Sequence, residues 1–331
     1  AAWINMTQHR ITQHPILDIP ERTPVSFTWN GKKLTGFDGE MISAALFANG
    51  IHIFGHHHKD NSPQGIFCAN GQCSQCMVIA DGLPVKSCMT PLRNKMVVES
   101  VEGLPKIPED NRIPQTGDIP FKEVDVLIIG GGPAGLSAAI ELGSLGVNTL
   151  IVDDKDRLGG KLVLQTHKFF GSVKDSHAGT RGFEIGKLLQ DELLALRSVE
   201  VWLNTTAVAV FSDNIVGVIK DNQYQKIRPQ KLLVATGARE KMLSFPGNTL
   251  PGVFGAGAFQ TLVNRDLVKS SEKVLIVGGG NVGLIAGYHA IQADIAVCLL
   301  YTSPSPRDSC IHLVCRLLLE KRGGGGGGGG G

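Results

Sequence analysis

The chain has 331 residues, 42% of them hydrophobic and 19% charged, with a formal net charge of +2. That balance argues against a broad nucleic-acid or anionic-membrane surface. No apolar run approaches the roughly 20 residues that span a bilayer, no basic start with an apolar core marks a secretory leader, and the expected compartment is the cytoplasm.

The length suggests two domains or more. Residues 1–22 read as an N-terminal arm, of which 1–5, AAWIN ahead of Met6, read as upstream read-through. Residues 23–101 read as a small strand-rich domain. Val25 to Trp29 alternates as a strand, Asn30-Gly31 is a two-residue hairpin signal, and Lys32 to Thr35 returns. Met41 to Asn49 reads as a helix closed by Gly50. Val78 to Ala80, the turn Asp81-Gly82 and Pro84 to Lys86 form a second hairpin, and Met96 to Ser100 a last strand.

Inside this domain Cys68, Cys73, Cys76 and Cys88 stand at the spacing C-x4-C-x2-C-x11-C, the ligand pattern of a ferredoxin-type 2Fe-2S cluster. Three thiolates come from one loop, FCANGQCSQC, in which Gly71 can take a positive φ, and the fourth from another strand. A zinc ribbon would use paired C-x2-C knuckles, and only Cys73 and Cys76 form one. A disulfide framework belongs to small secreted chains. The expected fold here is a β-grasp, ferredoxin-like domain. Residues 102–122, with Pro105, Pro108, Pro114 and Pro120 among charged residues, read as an extended linker.

Residues 123–267 open on an apolar run, Val124 to Ile129, followed by GGGPAG and a helical pattern. Gly130 permits the tight turn, Gly132 lets backbone approach a pyrophosphate and Gly135 lets helix pack on strand. The helix N-terminus offers N–H groups to phosphate, and Pro133 with Ala134 opens it at no cost in donors. A second strand, Asn148 to Val152, ends at Asp153, where a carboxylate would hold a ribose; Asp154 is the weaker choice. The pattern recurs in residues 268–297. Strand Val274 to Val277 precedes Gly278, Gly280, Asn281, Val282 and Gly283, and a helix runs from Val282 to Ala293. Two dinucleotide sites in an α/β chain are therefore expected, both Rossmann-like.

Residues 298–331 contradict what precedes them. CLLYTSPSPRD, from Cys298 to Asp308, back-translates codon for codon to a transposase sequencing-library adapter, HLVCRLLLE continues it, and nine glycines close the chain. The stretch reads as translated adapter and not as protein. It holds the remaining cysteines, Cys298, Cys310 and Cys315, and bases Arg307, Arg316, Lys321 and Arg322 against acids Asp308 and Glu320, so without it acids and bases balance. The second domain is then truncated where the residue selecting NAD or NADP would stand.

From Val25 to Val297 the chain resembles flavoproteins with two dinucleotide-binding domains, in the branch with an N-terminal 2Fe-2S domain: the alpha subunits of heteromeric sarcosine oxidase, opine oxidase, dye-linked proline dehydrogenase and hydrogen cyanide synthase. The resemblance rests on GIFCANGQCSQCMV with SCMTPL, GGGPAG, RLGGKL, LLVATGAR and GGGNVG. It implies cluster ligation by the four cysteines. For FAD it implies Gly130, Gly132, Pro133, Ala134, Gly135 and Asp153, with Gly160 and Lys161 lying along the cofactor and Ala235, Thr236 and Gly237 returning to it. NAD or NADP would take the second motif. The sequence departs from the disulfide reductases of this family in having no cysteine between GGGPAG and ATGAR, which excludes disulfide reduction by this segment.

Other residues carry less. His56, His57 and His58 read as a solvated loop, Thr166, His167 and Lys168 as structural, Phe169 to Ser172 as core, and Lys241 as surface. The expected function is that of an electron-relaying oxidoreductase component acting on an amine or amino acid, partnered by a second flavoprotein subunit or an electron-acceptor protein. A self-contained NAD(P)H:acceptor reductase, feeding ferredoxin or quinone, and a non-enzymatic electron-transfer scaffold are the competing readings.

Overall fold

The computed structural model describes residues 9–111 and 117–300. Contacts divide the chain into two compact units, Ala1–Asp110 with Glu240–Gly331, and Asn111–Arg239. No described helix is long and apolar enough to cross a membrane.

In the first unit β1 (Pro24–Trp29) and β2 (Lys32–Phe37) pair antiparallel across Asn30 and Gly31, both at positive φ, as a primed two-residue turn requires. Helix α1 (Ile42–Ala48) is buried at every residue, because ISAALFA offers no polar face. It ends as a glycine-terminated helix should: Gly50 takes φ 75°, Ile51 N–H donates to Leu46 O, and the Asn49 amide donates to the Thr35 and Ala45 carbonyls. Short strands β3 (Gly55–His56) and β4 (Pro63–Gln64) follow, then hairpin β5 (Met77–Ala80) and β6 (Leu83–Lys86), then β7 (Val97–Glu102). The sheet order β2-β1-β7-β3-β4, with β5 also paired to β7, is the expected mixed β-grasp sheet. β7 extends two residues beyond the expected end because β3 pairs with Val101 and Glu102, so the linker loses its first residue.

The second unit is a six-stranded sheet of order β10-β9-β8-β13-β12-β11. β8 (Phe121–Ile129) begins ahead of its apolar run because it pairs along the long β13 (Gln223–Val234), taking two more residues from the linker. Helix α2 (Pro133–Ser144) crosses to β9 (Thr149–Val152), which is buried throughout as a strand covered on both faces must be. Helices α3 (Val173–Ser176) and α4 (Gly182–Leu194), strand β10 (Val199–Trp202) and the antiparallel pair β11 (Thr205–Val210) and β12 (Val216–Lys220) complete it.

The contact division falls at residue 239, not at the expected 267. Helix α5 (Ala256–Gln260) continues as a π-helical turn over Thr261–Arg265. Its Ala258 and Leu262 join the apolar core around Phe27, Phe47 and Phe54, while Phe259 and Val263 join a second core with Ala286 and Ala290. The latter two lie on α6 (Asn281–Gln292), which links β14 (Lys273–Val277) to the parallel β15 (Ala296–Leu300). The arm is docked too. Ile11 N–H donates to Leu267 O, Lys269 N–H donates to His9 O, and Arg10 makes a two-pronged, nearly fully buried ion pair with Glu40 at 2.8 and 2.9 Å, its guanidinium over the Phe37 ring. Residues 298–300 complete β15, and residues 301–331 and 1–8 lie outside the described residues.

Candidate cluster and nucleotide sites

The four cysteines meet because two segments are tied to the same buried helix. The first N–H groups of α1, with no side-chain cap of their own, are satisfied by the turn that carries Cys88: Ile42 N–H donates to Thr90 O and Ser43 N–H to Ser87 O. Cys76 immediately precedes β5, and Ser87 N–H and hydroxyl both donate to its carbonyl, at 3.1 and 2.7 Å. Cys76 and Cys88 are buried and Cys68 and Cys73 half-buried. Ala69 and Gly71, both at positive φ, curl the loop so that its N–H groups point inward.

Those N–H groups converge on sulfur. Asn70 and Cys73 donate to Cys68, Gln75 and Cys68 to Cys73, Cys88 to Cys76, and Gly71 to Cys88. The thiols also bond one another, Cys68 with Cys73 and Cys88, and Cys76 with Cys88. Proton sharing splits them. The bond with Cys73 holds Cys68 far below the ordinary thiol range, and the same bond pushes Cys73 up. Cys88 brings Cys76 down to about 7, while Cys68 and Cys76 push Cys88 up. Four crowded sulfurs therefore cannot all ionise unless a cationic group compensates them. Among the described residues, no three or more His, Cys, Asp or Glu side chains frame a single metal ion. The four sulfurs instead form one connected run, Cys73 to Cys68 to Cys88 to Cys76, and a set of four neighbouring thiolates is the donor set of a two-iron group ligated by four cysteines.

The two glycine turns are nearly the same object. Gly130 has φ 110° and Gly278 φ 113°. Gly132 caps α2 at φ −77°, ψ −176°, and Gly280 caps α6 at −74°, −179°. A Cβ on Gly135 would stand 1.9 Å from Gly130 O, and one on Gly283 2.0 Å from Gly278 O. Gly132 and Gly280 differ from these: a Cβ would meet only Gly160 Cα at 3.9 Å in the first case and nothing within 4 Å in the second. The packing glycines are thus held by the fold, whereas the open ones leave room for a ligand at a helix N-terminus. Neither helix carries an acid of its own in the first turn, so the positive end of each dipole is left to groups from outside the helix. Pro133 and Ala134, and Asn281 and Val282, form those first turns.

Around the first turn, two further glycine-bearing segments close in. Gly159 N–H donates to Gly131 O, and a Cβ on Gly160 would lie 2.8 Å from Gly132 Cα. Lys161 is in the same 3₁₀ turn, Gly160–Leu164. Ala235 N–H donates to Ile129 O, its carbonyl stands where a Cβ on Gly130 would collide at 2.3 Å, and Thr236 and Gly237, the latter at φ 76°, follow. Asp153 Oδ2 accepts the Gly131 N–H at 2.6 Å and Oδ1 the Lys155 N–H at 2.8 Å. The carboxylate is braced from both sides, with lone pairs remaining for a hydroxyl. In the second turn Val277 pairs with Leu300 as Ile129 pairs with Val152, so the counterpart of Asp153 is Tyr301, outside the described residues.

The remaining candidates separate. His56 bonds Glu102 and His57 bonds Asp60, each on its own carboxylate. His167 is buried, stacked on Phe169 with centroids 5.3 Å apart, and burial lowers its pKa; Thr166 O accepts from Arg181 and Lys168 bridges to Arg181. Of Phe169 to Ser172, expected in the core, Phe169 and Phe170 are only half-buried and Gly171 and Ser172 exposed, with Phe169 stacked on the His167 ring. Lys241 is exposed. Sequence reasoning missed Ser87 and Lys86, whose polar side chains beside a ligand cysteine were the available signal. It also missed Glu240, which accepts the Ala256 and Gly257 N–H groups at the start of α5.

A 2Fe-2S iron-sulfur cluster binding domain matches residues 22–103 and the pyridine nucleotide-disulphide oxidoreductase family residues 124–323. The alpha subunit of sarcosine oxidase from Rhizobium meliloti is 26% identical over 78% of this chain and 32% of its own length. Hydrogen cyanide synthase subunit HcnB of Pseudomonas protegens is 35% identical over 46% of this chain and 33% of its own. The crystal structure of L-proline dehydrogenase from P. horikoshii shares the fold, with a TM-score of 0.71 at 22% identity over 87% of this chain and 56% of that one. The chain spans about a third of the length of these curated relatives. With its family match covering more than half of its residues, the chain belongs to the pyridine nucleotide-disulphide oxidoreductase family and carries a 2Fe-2S domain ahead of its FAD-type domain.

Proposed function

We propose that this chain is the electron-relaying part of a heteromeric amine or amino-acid dehydrogenase or oxidase. The carrying observation is the coexistence, in one chain, of four cysteines ringed by inward N–H donors and a glycine turn with an open pyrophosphate approach. The relatives named as components of sarcosine oxidase and of opine oxidase favour an amine or amino-acid substrate and a partner subunit. When bound, FAD exchanges electron pairs and the cluster single electrons. The protein's own part is to hold them. Cys68, Cys73, Cys76 and Cys88 ligate iron, Gly132 and the start of α2 receive the pyrophosphate, and Asp153 takes a ribose hydroxyl. Gly160, Lys161 and Ala235–Gly237 line the same cofactor.

The match of the second glycine turn to the first supports a nicotinamide nucleotide there, at Gly278, Gly280, Asn281, Val282 and Gly283, and with it the second reading, an NAD(P)H:acceptor reductase. Anaerobic stopped-flow of the complete protein, reconstituted with iron, sulfide and FAD, separates them. The amine reading expects flavin bleaching by an amine or amino acid once the partner subunit is added. Bleaching by NADH alone, and never by amines with the partner present, sinks the amine reading; no bleaching by either sinks both.

A further inference from the structure

We propose that Lys86 is a positioning residue for the cluster, clamping the ligand loop onto the Cys88 turn and raising the cluster's reduction potential. The inference rests on the quartet holding the cluster. Lys86 Nζ donates to Gly71 O at 2.7 Å, half-buried. Gly71 in turn sends its N–H to the Cys88 sulfur, so the residue that Lys86 grips is itself a donor to a ligand. The Lys86 backbone works on the other segment: its carbonyl accepts the Met89 N–H and the Thr90 hydroxyl, closing the turn in which Cys88 sits. It also stands opposite Met77, the residue after Cys76. One residue thus joins the three-cysteine loop, the Cys76 strand and the Cys88 turn.

The seat is tight. Gly71 has φ 81°, and a Cβ there would lie 3.0 Å from the Met89 side chain, so only glycine fits at the point that the ammonium grips. Among the described residues Lys86 has no carboxylate partner, so its charge is not cancelled locally. Reduction adds one electron to one of two ferric ions, with no bond broken and no proton required, and makes an already anionic group more negative. A half-buried cation beside it favours the reduced state. Lysine, with a compact point charge on a long stem, can both reach the carbonyl and supply that field.

The test is an anaerobic redox titration of the complete protein with dithionite and mediators, followed by electron paramagnetic resonance, with iron and acid-labile sulfide counted first. Lys86→Met is expected to lower the reduced-to-oxidised ratio at fixed solution potential at least threefold, about 28 mV at 59 mV per decade. It is also expected to release iron to a chelator several-fold faster. Lys86→Arg, keeping the charge, is expected to restore both. A fully loaded Lys86→Met protein with the wild-type midpoint overturns the proposal, as does failure of Lys86→Arg to load when Lys86→Met loads normally. If Lys86→Met does not load, rescue of loading by Lys86→Arg supports the clamp and loss in both refutes a role for the charge. A wild-type protein without iron and sulfide refutes the cluster reading itself, a distinguishable failure.

Discussion

The two glycine turns of this chain agree to within a few degrees of backbone, yet their surroundings differ. The first is enclosed by the Gly159–Gly160 turn, the Ala235–Gly237 return and the braced carboxylate of Asp153, on a six-stranded sheet with cores on both faces. Around the second the described residues supply a two-stranded sheet in which Leu275, Val277 and Leu299 are exposed, and the acid position lies at Tyr301. A dinucleotide turn is a local structure that six residues can encode. A dinucleotide site is a convergence of three or four segments that only a completed sheet brings together.

The sharpest way to break this comparison is Gly135→Ala. Its Cβ would overlap the Gly130 carbonyl, and neither backbone can yield, so a loss of about 3 kcal/mol is expected on thermal unfolding. Gly283→Ala meets the same clash on a two-stranded sheet and is expected to leave the main transition in place; equal losses from both would mean the two turns are equally built into the fold. Next comes Gly132→Ala, which meets no protein atom closer than 3.9 Å. Unfolding should be unchanged while FAD affinity falls about a hundredfold, about 2.7 kcal/mol, and Gly280→Ala should leave FAD binding alone. A normal flavin titration for Gly132→Ala would remove the pyrophosphate from this turn.

Asp153→Asn turns one acceptor into a donor facing the Gly131 or Lys155 N–H. Flavin fluorescence titration should show binding weakened about tenfold, about 1.4 kcal/mol. The same change at Asp154, whose carboxylate pairs with Lys155, should do little. The smallest effect concerns pH. Burial lowers the His167 pKa in the flavin-side unit and the His52 pKa in the other. Between each lowered value and the ordinary 6.5, the unfolded chain binds more protons than the folded one, so stability falls as pH drops through that range. His167→Gln should flatten that acid-side slope in denaturant melts of the flavin-side unit only; a slope unaltered by the change would mean that folding does not lower the His167 pKa.

Cysteine spacing, the hairpin dipeptides Asn30-Gly31 and Asp81-Gly82, and both glycine turns were legible in the chain because each is local: its meaning is set by residues within a dozen positions. What was not legible depended on partners far along the sequence. β7 and β8 outrun their apolar runs because β3 and β13 offer them ladder positions. Of residues 240–267, expected with the flavin domain, the part from Phe254 onward packs instead between the ferredoxin-like core and α6, since α5 and its π-turn carry apolar residues on two faces and only the assembled cores show which neighbour each face meets.

Sequence by itself determined which residues can bind: thiolates at ferredoxin spacing and glycines where backbone must approach phosphate, because covalent chemistry and allowed φ angles belong to the residue. Tertiary structure decided how well they are poised. The N–H groups aimed at each sulfur, the Lys86 grip on Gly71 and the bracing of Asp153 by Gly131 and Lys155 are directional contacts, and direction exists only once the chain has folded.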